Sequence, residues 1–386
     1  MDRRSFLRGA TAAGVGAAML KGRAAQSPSP SLAKEGPRKN LPDDSDRSPN
    51  RNPIALQRSA LVVEGLVAGG PRLSHLELQK KGGVDCGVTG LPEDPLSLAK
   101  ALKFFDEHKN ECVVARTVSE IRKAKQEGKI AVVYGWQSAE ALGSAFNNPL
   151  GTPETPLRAH YEDGLRILGI AYNVANYFGG GCLEPNIGLT RAGRRLVEEI
   201  HNLKIVLDVG GHTGEQTTLD ALAMSKGVAV ICTHTNVAAI ADNPRCISDR
   251  VIEGIAKTGG VIGLTAASDF HARSRKDAAT PRIPQVGLEA HLDQFDYLRK
   301  LVGADHVGLG PDFIDGLPID YGAVNREIIP RQMISDGPWL YVKGFENISE
   351  LPNVTRGLIQ RGWSSGDIRK ILGGNWLRVY EAVWGS

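Results

Sequence analysis

The chain has 386 residues, 41% of them hydrophobic and 23% charged, a composition that excludes a disordered or fibrous protein. Its 46 Lys and Arg against 43 Asp and Glu give a formal charge of +3, but Arg3, Arg4, Arg8, Lys21 and Arg23 all fall within positions 1–25, beside the single acid Asp2. The remainder is close to neutral, which argues against a nucleic acid or an anionic membrane held by general electrostatics.

In chain order, a basic start is followed by a weakly apolar run from Gly9 to Leu20 and by small residues at Ala24 and Ala25, the three parts of an export signal. The run is too short to cross a bilayer core that needs about 20 residues. Arg3-Arg4 with Phe6-Leu7 resembles a twin-arginine signal, so residues 1–25 are expected to direct export to the periplasm or beyond, leaving no transmembrane segment in the mature form. Residues 26–56, rich in Ser, Pro, Asn and charge, read as a flexible linker, and 57–386 as the folded body. The five cysteines show no CxxC spacing and are odd in number, so a disulfide framework is not expected.

From residue 57, short β-branched runs alternate with helical stretches. Strands are expected at 60–64, 83–88, 130–134, 166–172, 205–209, 228–233, 260–265 and 306–310, as continuous apolar runs suited to parallel strands buried on both faces. Thr117-x-x-Glu120 is a capping box and Gly128 a stop, while a helix from Thr190 places Leu196, Val197, Ile200 and Leu203 on one stripe. Eight such units over about 330 residues fit a (β/α)8 barrel. The competing doubly wound sheet lacks its GxGxxG or Walker loop after the first strand. Gly362-Trp-Ser-Ser-Gly366 matches the GxSxG nucleophile pattern, but the segment before it, 355–361, reads as helix and Ser365 as the N-cap of the next one, so it is expected to be a helix–turn–helix junction.

Barrel chemistry occurs at the carboxyl ends of strands, which makes Glu64, Asp85, Gln137, Tyr172 with Asn173, His212, His234, Thr265 and Asp312 the candidates. His212 and His234 end consecutive strands, about 4.8 Å apart in a barrel, so their imidazoles can converge on one metal ion. Asp312, after the last strand, is the nearest general base or substrate anchor.

These residues resemble the membrane (renal-type) dipeptidase family over roughly residues 57 to 383, and its exported bacterial branch in particular. The most specific block is Tyr172-Asn-Val-Ala-Asn-Tyr-Phe-Gly-Gly-Gly-Cys-Leu-Glu-Pro185 with Gly188-Leu-Thr-Arg-Ala-Gly193; Gly211-His212, Thr233-His234, Pro244-Arg245, Gly310-Pro-Asp312 and Ile371-Leu-Gly-Gly-Asn-Trp376 follow in order. The resemblance implies a metal-dependent barrel hydrolase that cleaves dipeptides, with His212 and His234 as metal ligands, Arg245 gripping the substrate carboxylate and Asp312 engaging its amine and assisting proton transfer. It also implies dimerisation, for which no residue pattern is visible.

The chain departs from that family at three ligands. Leu66 and Ala68 stand where the family has a His-x-Asp, Gln137 where it has a bridging glutamate, and Tyr172 where it has a histidine near the scissile carbonyl. Two negative charges and one imidazole ligand are thereby removed from a site built for two dications, so one zinc ion is expected rather than two, on His212 and His234 with Gln137, Glu64 or Asp85 as further ligands. Tyr172 is expected to donate to a developing oxyanion. The expected function is an exported metal-dependent dipeptidase. The alternatives are a catalytically silent barrel that binds a small carboxylate or peptide, and a hydrolase of lactones or lactams.

Overall fold

In the computed structural model the described residues are 44–147, 154–271, 285–315, 317, 323–335 and 338–385. Ten parallel strands carry the architecture: β1 (Val63–Glu64), β2 (Cys86–Gly90), β3 (Cys112–Val114), β4 (Ile130–Trp136), β5 (Leu165–Gly169), β6 (Val206–Asp208), β7 (Cys232–Val237), β8 (Cys246–Ile247), β9 (Ile262–Leu264) and β10 (Val307–Leu309). One sheet runs β1-β2-β4-β5-β6 and another β10-β9-β7-β8, with β3 laid along the first half of β4. A parallel bridge from Asp208 to Ile231 joins β6 to the segment entering β7. On the other side Gly65 N–H donates to the Leu309 carbonyl (2.8 Å) and Val67 pairs with Phe313. The ring β1-β2-β4-β5-β6-β7-β9-β10 is thus closed, the expected (β/α)8 barrel.

The strands form where β-branched and small apolar residues run together. Val63, Val88, Val133, Ile167, Val206, Ile231 and Val261 pack into one buried cluster with Trp376. Trp376, from helix Asn375–Trp384, lies so close to the strands that a Cβ at Gly308 would sit 2.8 Å from its ring, so the adjoining stave positions must be glycine. This packed cluster supplies the rigidity on which the opposite end of the barrel is built.

Local signals act as expected in several places. Thr117 and Glu120 form the capping box of helix Val118–Gln126, and Gly128 follows it with φ +70°. Thr190 caps helix Arg191–Asn202, which buries Leu196, Val197 and Ile200. The GxSxG match falls between helices Leu351–Gln360 and Ser365–Arg369, although the cap is Ser364, whose hydroxyl accepts from Asp367 N–H, and Ser365 is the first helical residue.

Several expected boundaries change, β2 starting at Cys86 rather than Gly83 among them. The strand expected at 228–233 is β7, four residues further on, because the polar run Thr233 to Asn236 continues the strand and its side chains serve the site rather than the core. The folded unit also begins before residue 57, inside the expected linker. Asn52 caps helix Pro53–Ser59, and the Arg51 guanidinium donates to the Trp363 carbonyl (2.6 Å) and Ser365 Oγ (2.8 Å). The export head expected over 1–25 and the linker up to residue 43 lie outside the described residues. Among the described residues no helix is long and apolar enough to cross a membrane.

Candidate active site

At the carboxyl end of the barrel lies an open cavity whose polar wall is made by Gln137, Tyr172, Asn173, His212, Arg245 and Asp312. They follow five different staves, Tyr172 and Asn173 sharing β5, as barrel chemistry requires. Asn173 (φ 61°) and Asp312 (φ 62°) are two of the three non-glycine residues with positive φ among the described residues. Asn and Asp are the non-glycine residues that enter left-handed backbone most readily, and here that turn directs both side chains at one cavity wall.

The two histidines are held in defined tautomers. Asn173 donates its amide N–H to the Ile328 carbonyl (3.0 Å), so its Oδ1 faces His212 and accepts from Nδ1 at 2.6 Å. His212 therefore presents Nε2 as its free ring nitrogen. On β7, Thr233 Oγ1 donates to Asp208 Oδ2 (2.5 Å), which leaves its lone pair to accept from His234 Nδ1 at 2.8 Å. His234 Nε2 is buried with no partner. Asp208 is itself fixed by the N–H groups of Gly210 (2.7 Å) and Thr233 (2.9 Å). The rings stand 4.8 Å apart, and Tyr172 stacks on His212 with centroids at 3.9 Å. Burial, reinforced by the Arg245 charge, drives both imidazoles well below their ordinary pKa, so both are neutral lone-pair donors.

Arg245 is almost wholly buried, yet neither Nη atom has a hydrogen-bond partner. A Cβ at position 211 would lie 2.3 Å from its Nη1, so Gly211 is the residue that leaves the guanidinium its space. An unpaired buried guanidinium is costly, and a planar carboxylate is the group that satisfies both Nη atoms at once. Across the cavity, burial pushes the Asp312 carboxyl up to about 7, Arg245 acting against the shift and Glu64 with it. Burial and Asp312 raise the Tyr172 phenol to about 12, which keeps it a proton donor at neutral pH.

Other candidates go elsewhere. The Glu64 carboxylate is turned to helix Leu73–Gly82, where Oε2 accepts from Gln79 Nε2 (2.8 Å) and pairs with His75 Nε2 (3.1 Å). Asp85 precedes β2, at its amino end, and is bound by Lys125 Nζ (2.6 Å) and Val62 N–H (2.8 Å). Thr265 donates to Asn236 (2.8 Å). None of the three lines the cavity, and neither does His234; Glu64 keeps a second oxygen, Oε1, buried without a partner, whereas Asp85 lies at the amino end of its strand. Ala68 does line it, and Leu66 is a buried apolar residue. Among the described residues no three His, Cys, Asp or Glu side chains converge as a metal site. Two neighbouring imidazoles, set edge-on to each other, suit one ion completed by water, substrate or the neutral Gln137 amide. They do not suit a two-ion centre.

Sequence reasoning passed over Asp208 and Thr233, and gave Asn173 no role. The available signal was a polar residue ending an apolar strand, as in Val206-Leu-Asp208.

A family model described as membrane dipeptidase (peptidase family M19) matches residues 96–325 and 334–384, well over half of the chain. An uncharacterised Klebsiella pneumoniae protein from the pqqA 5′ region is 31% identical over 238 residues, 59% of this chain and 76% of its own length. The dipeptidase verJ of Clonostachys rogersoniana is 26% identical over 283 residues, 72% of this chain but only 62% of its own, so this chain spans less than two thirds of that relative. Among solved structures, an amidohydrolase from Pseudomonas aeruginosa superposes with a TM-score of 0.74 at 26% identity, over 87% of this chain and 100% of that one.

Proposed function

The chain belongs to the membrane dipeptidase family, and from that premise we propose that it is an exported hydrolase that cleaves a dipeptide or related small amide in the cavity at the carboxyl end of the barrel. The observation that carries the reading is Arg245: a buried guanidinium with both Nη atoms unpaired, on the same cavity as His212. It binds the substrate carboxylate in a bidentate pair and thereby sets the register of the scissile bond.

His212 and His234 would hold one divalent ion, with zinc the natural choice for neutral imidazole donors. A zinc ion supplies Lewis acidity and lowers the pKa of a water molecule toward about 7. Asn173, and Asp208 acting through Thr233, keep the ligating nitrogens bare and the rings oriented. Tyr172 donates its phenolic proton as a hydrogen bond toward the oxygen on which charge develops. Asp312, poised near 7, accepts the proton released by the attacking water and returns it to the leaving amine.

Export rests on the sequence Asp2-Arg3-Arg4-Ser5-Phe6-Leu7 and the apolar run after it. Replacing Arg3 and Arg4 by lysine and fractionating the cells tests it: retention of the variant in the cytoplasm is expected, and unchanged export refutes the route.

The central test is turnover of a dipeptide panel by purified protein supplied with Zn²⁺, Mn²⁺ or Co²⁺, lost on His212→Ala. The ligand types absent at 66, 68 and 137 favour one competing reading, a barrel that binds small carboxylates without turnover. Binding that is insensitive to chelator and accompanied by no hydrolysis selects it.

A further inference from the structure

The cavity has two unlike halves. Beside the polar residues, Phe270, Met333 and Ile334 are buried in a small apolar cluster, with Ile329 and Trp339 packed against it and Trp339 also touching the main core. All five line the same cavity as Arg245. The cluster begins at the guanidinium itself, since Arg245 Cζ stands 5.5 Å from the centroid of the Phe270 ring. A carboxylate bound to Arg245 and the side chain borne by the same α-carbon are therefore placed together against this wall. From this juxtaposition we infer that the substrate's carboxyl-terminal residue carries a bulky apolar side chain, of the size of Leu, Met or Phe, and that Phe270, Met333 and Trp339 select it.

The chemistry of the wall supports that class. Phe270, Ile329 and Ile334 offer no side-chain donor or acceptor, Met333 only a weakly accepting sulfur, and Trp339 a single indole N–H, too little for a charged or amide side chain once buried. Met333 adds an unbranched, polarizable side chain able to fit around rings of different shape. Glycine at the same position leaves the wall facing water, and aspartate or lysine buries an unpaired charge against it.

The inference rests on the reading that the cavity takes a dipeptide, and the experiment separates the two. Titration calorimetry of the full chain with Ala-Phe, Ala-Leu, Ala-Gly, Ala-Asp and Ala-Lys, alongside kcat/KM for each, is expected to favour Phe and Leu over the other three by about 10-fold or more. Trp339→Ala, at a half-buried position, and Met333→Thr are expected to narrow that ratio by lowering kcat/KM for Ala-Phe and Ala-Leu more than for Ala-Gly. Flat affinities, or a preference for Asp or Lys, overturn the inference even if every peptide is hydrolysed. An apolar preference in binding without turnover upholds it and removes the hydrolase reading instead. Binding of none of the five overturns both, and the panel on the unaltered chain decides the matter even if a variant fails to fold.

Discussion

His75 Nε2 lies 3.1 Å from a carboxylate oxygen of Glu64, with both side chains closed off from solvent. The other ring nitrogen is 2.8 Å from Asp315, in the loop that follows Asp312. Next to it Arg72 donates to the carbonyls of Ala68 and Gly70 on one side and Phe313 and Asp315 on the other. Two cations at the start of one helix therefore tie the loop after β1 to the loop after β10, and these loops carry positions 68 and 312 of the site.

The first prediction concerns that clip. Burial opposes the His75 charge, but Glu64 and Asp315 overcome it and raise the imidazole to about 9. A folded pKa above the unfolded value near 6.5 means that the contribution is fully present below about 6.5 and is lost as pH rises through about 9. His75→Phe strands the buried Glu64 carboxylate and is expected to cost about 3 kcal/mol or more. Chemical denaturation at pH 6 and pH 10 checks it: the variant should fall well below the parent at pH 6, with the gap closing at pH 10. An equal gap at both values refutes the assigned charge state.

The clip also shows where sequence reading reaches its limit. The barrel was legible because each stave is a local run of apolar residues, and His212, His234, Arg245 and Asp312 because they follow such runs. Glu64 sits at a strand end as they do, but only the packing of helix Leu73–Gly82 decides that it serves that helix. Asp85 was misplaced because its strand starts at Cys86 and not at Gly83. Asn173, Asp208 and Thr233 act through contacts 25 to 39 residues away in the chain, which no spacing rule contains.

The second prediction follows from the unpaired guanidinium. Arg245→Lys keeps the charge but loses the planar fork, and Arg245→Ala loses both, so KM is expected to rise moderately in the first and by about 100-fold in the second, with kcat falling less. Steady-state kinetics on one dipeptide and on its carboxyl amide check the assignment. The amide should be a poor substrate for the parent and lose little further activity in the variants. Equal losses on both substrates would assign Arg245 a structural role.

A third concerns the tautomer. Asn173→Ala removes the acceptor that holds the His212 Nδ1 proton and frees the ring to rotate. Affinity for Zn²⁺ is expected to drop by about 10- to 100-fold, measured by competition with a chromogenic chelator. Thr233→Val should do the same to His234 by cutting its link to Asp208. Unchanged zinc affinity in both variants would refute metal binding through these two nitrogens.

A fourth prediction uses Asp312. With its pKa near 7, kcat/KM should climb with pH and level off above about 7, and Asp312→Asn should flatten that limb while lowering activity. Stability is expected to move the other way. A carboxyl whose folded pKa is raised from about 3.8 destabilises the fold once ionised, so the parent loses stability as pH rises from about 4 through 7. The Asn variant should match or exceed the parent's melting temperature at pH 8, and a large loss there would mean that the ionised carboxylate is a structural partner.

The last prediction concerns metal stoichiometry, which the cavity's missing acids are expected to limit. Leu66, Ala68 and Gln137 stand where the family carries two anionic ligands and a histidine, and Ala68 and Gln137 line the cavity directly. The triple variant Leu66→His, Ala68→Asp, Gln137→Glu restores the charge needed to neutralise a second dication. Elemental analysis after dialysis against micromolar zinc should read about one ion per chain in the parent and about two in the triple variant. Gln137→Glu alone should raise affinity for the first ion without adding the second, because one carboxylate supplies a ligand but not a coordination shell. Two ions in the parent would show that residues beyond His212 and His234 complete the centre. None in the triple variant would show that the two histidines do not nucleate a site at all.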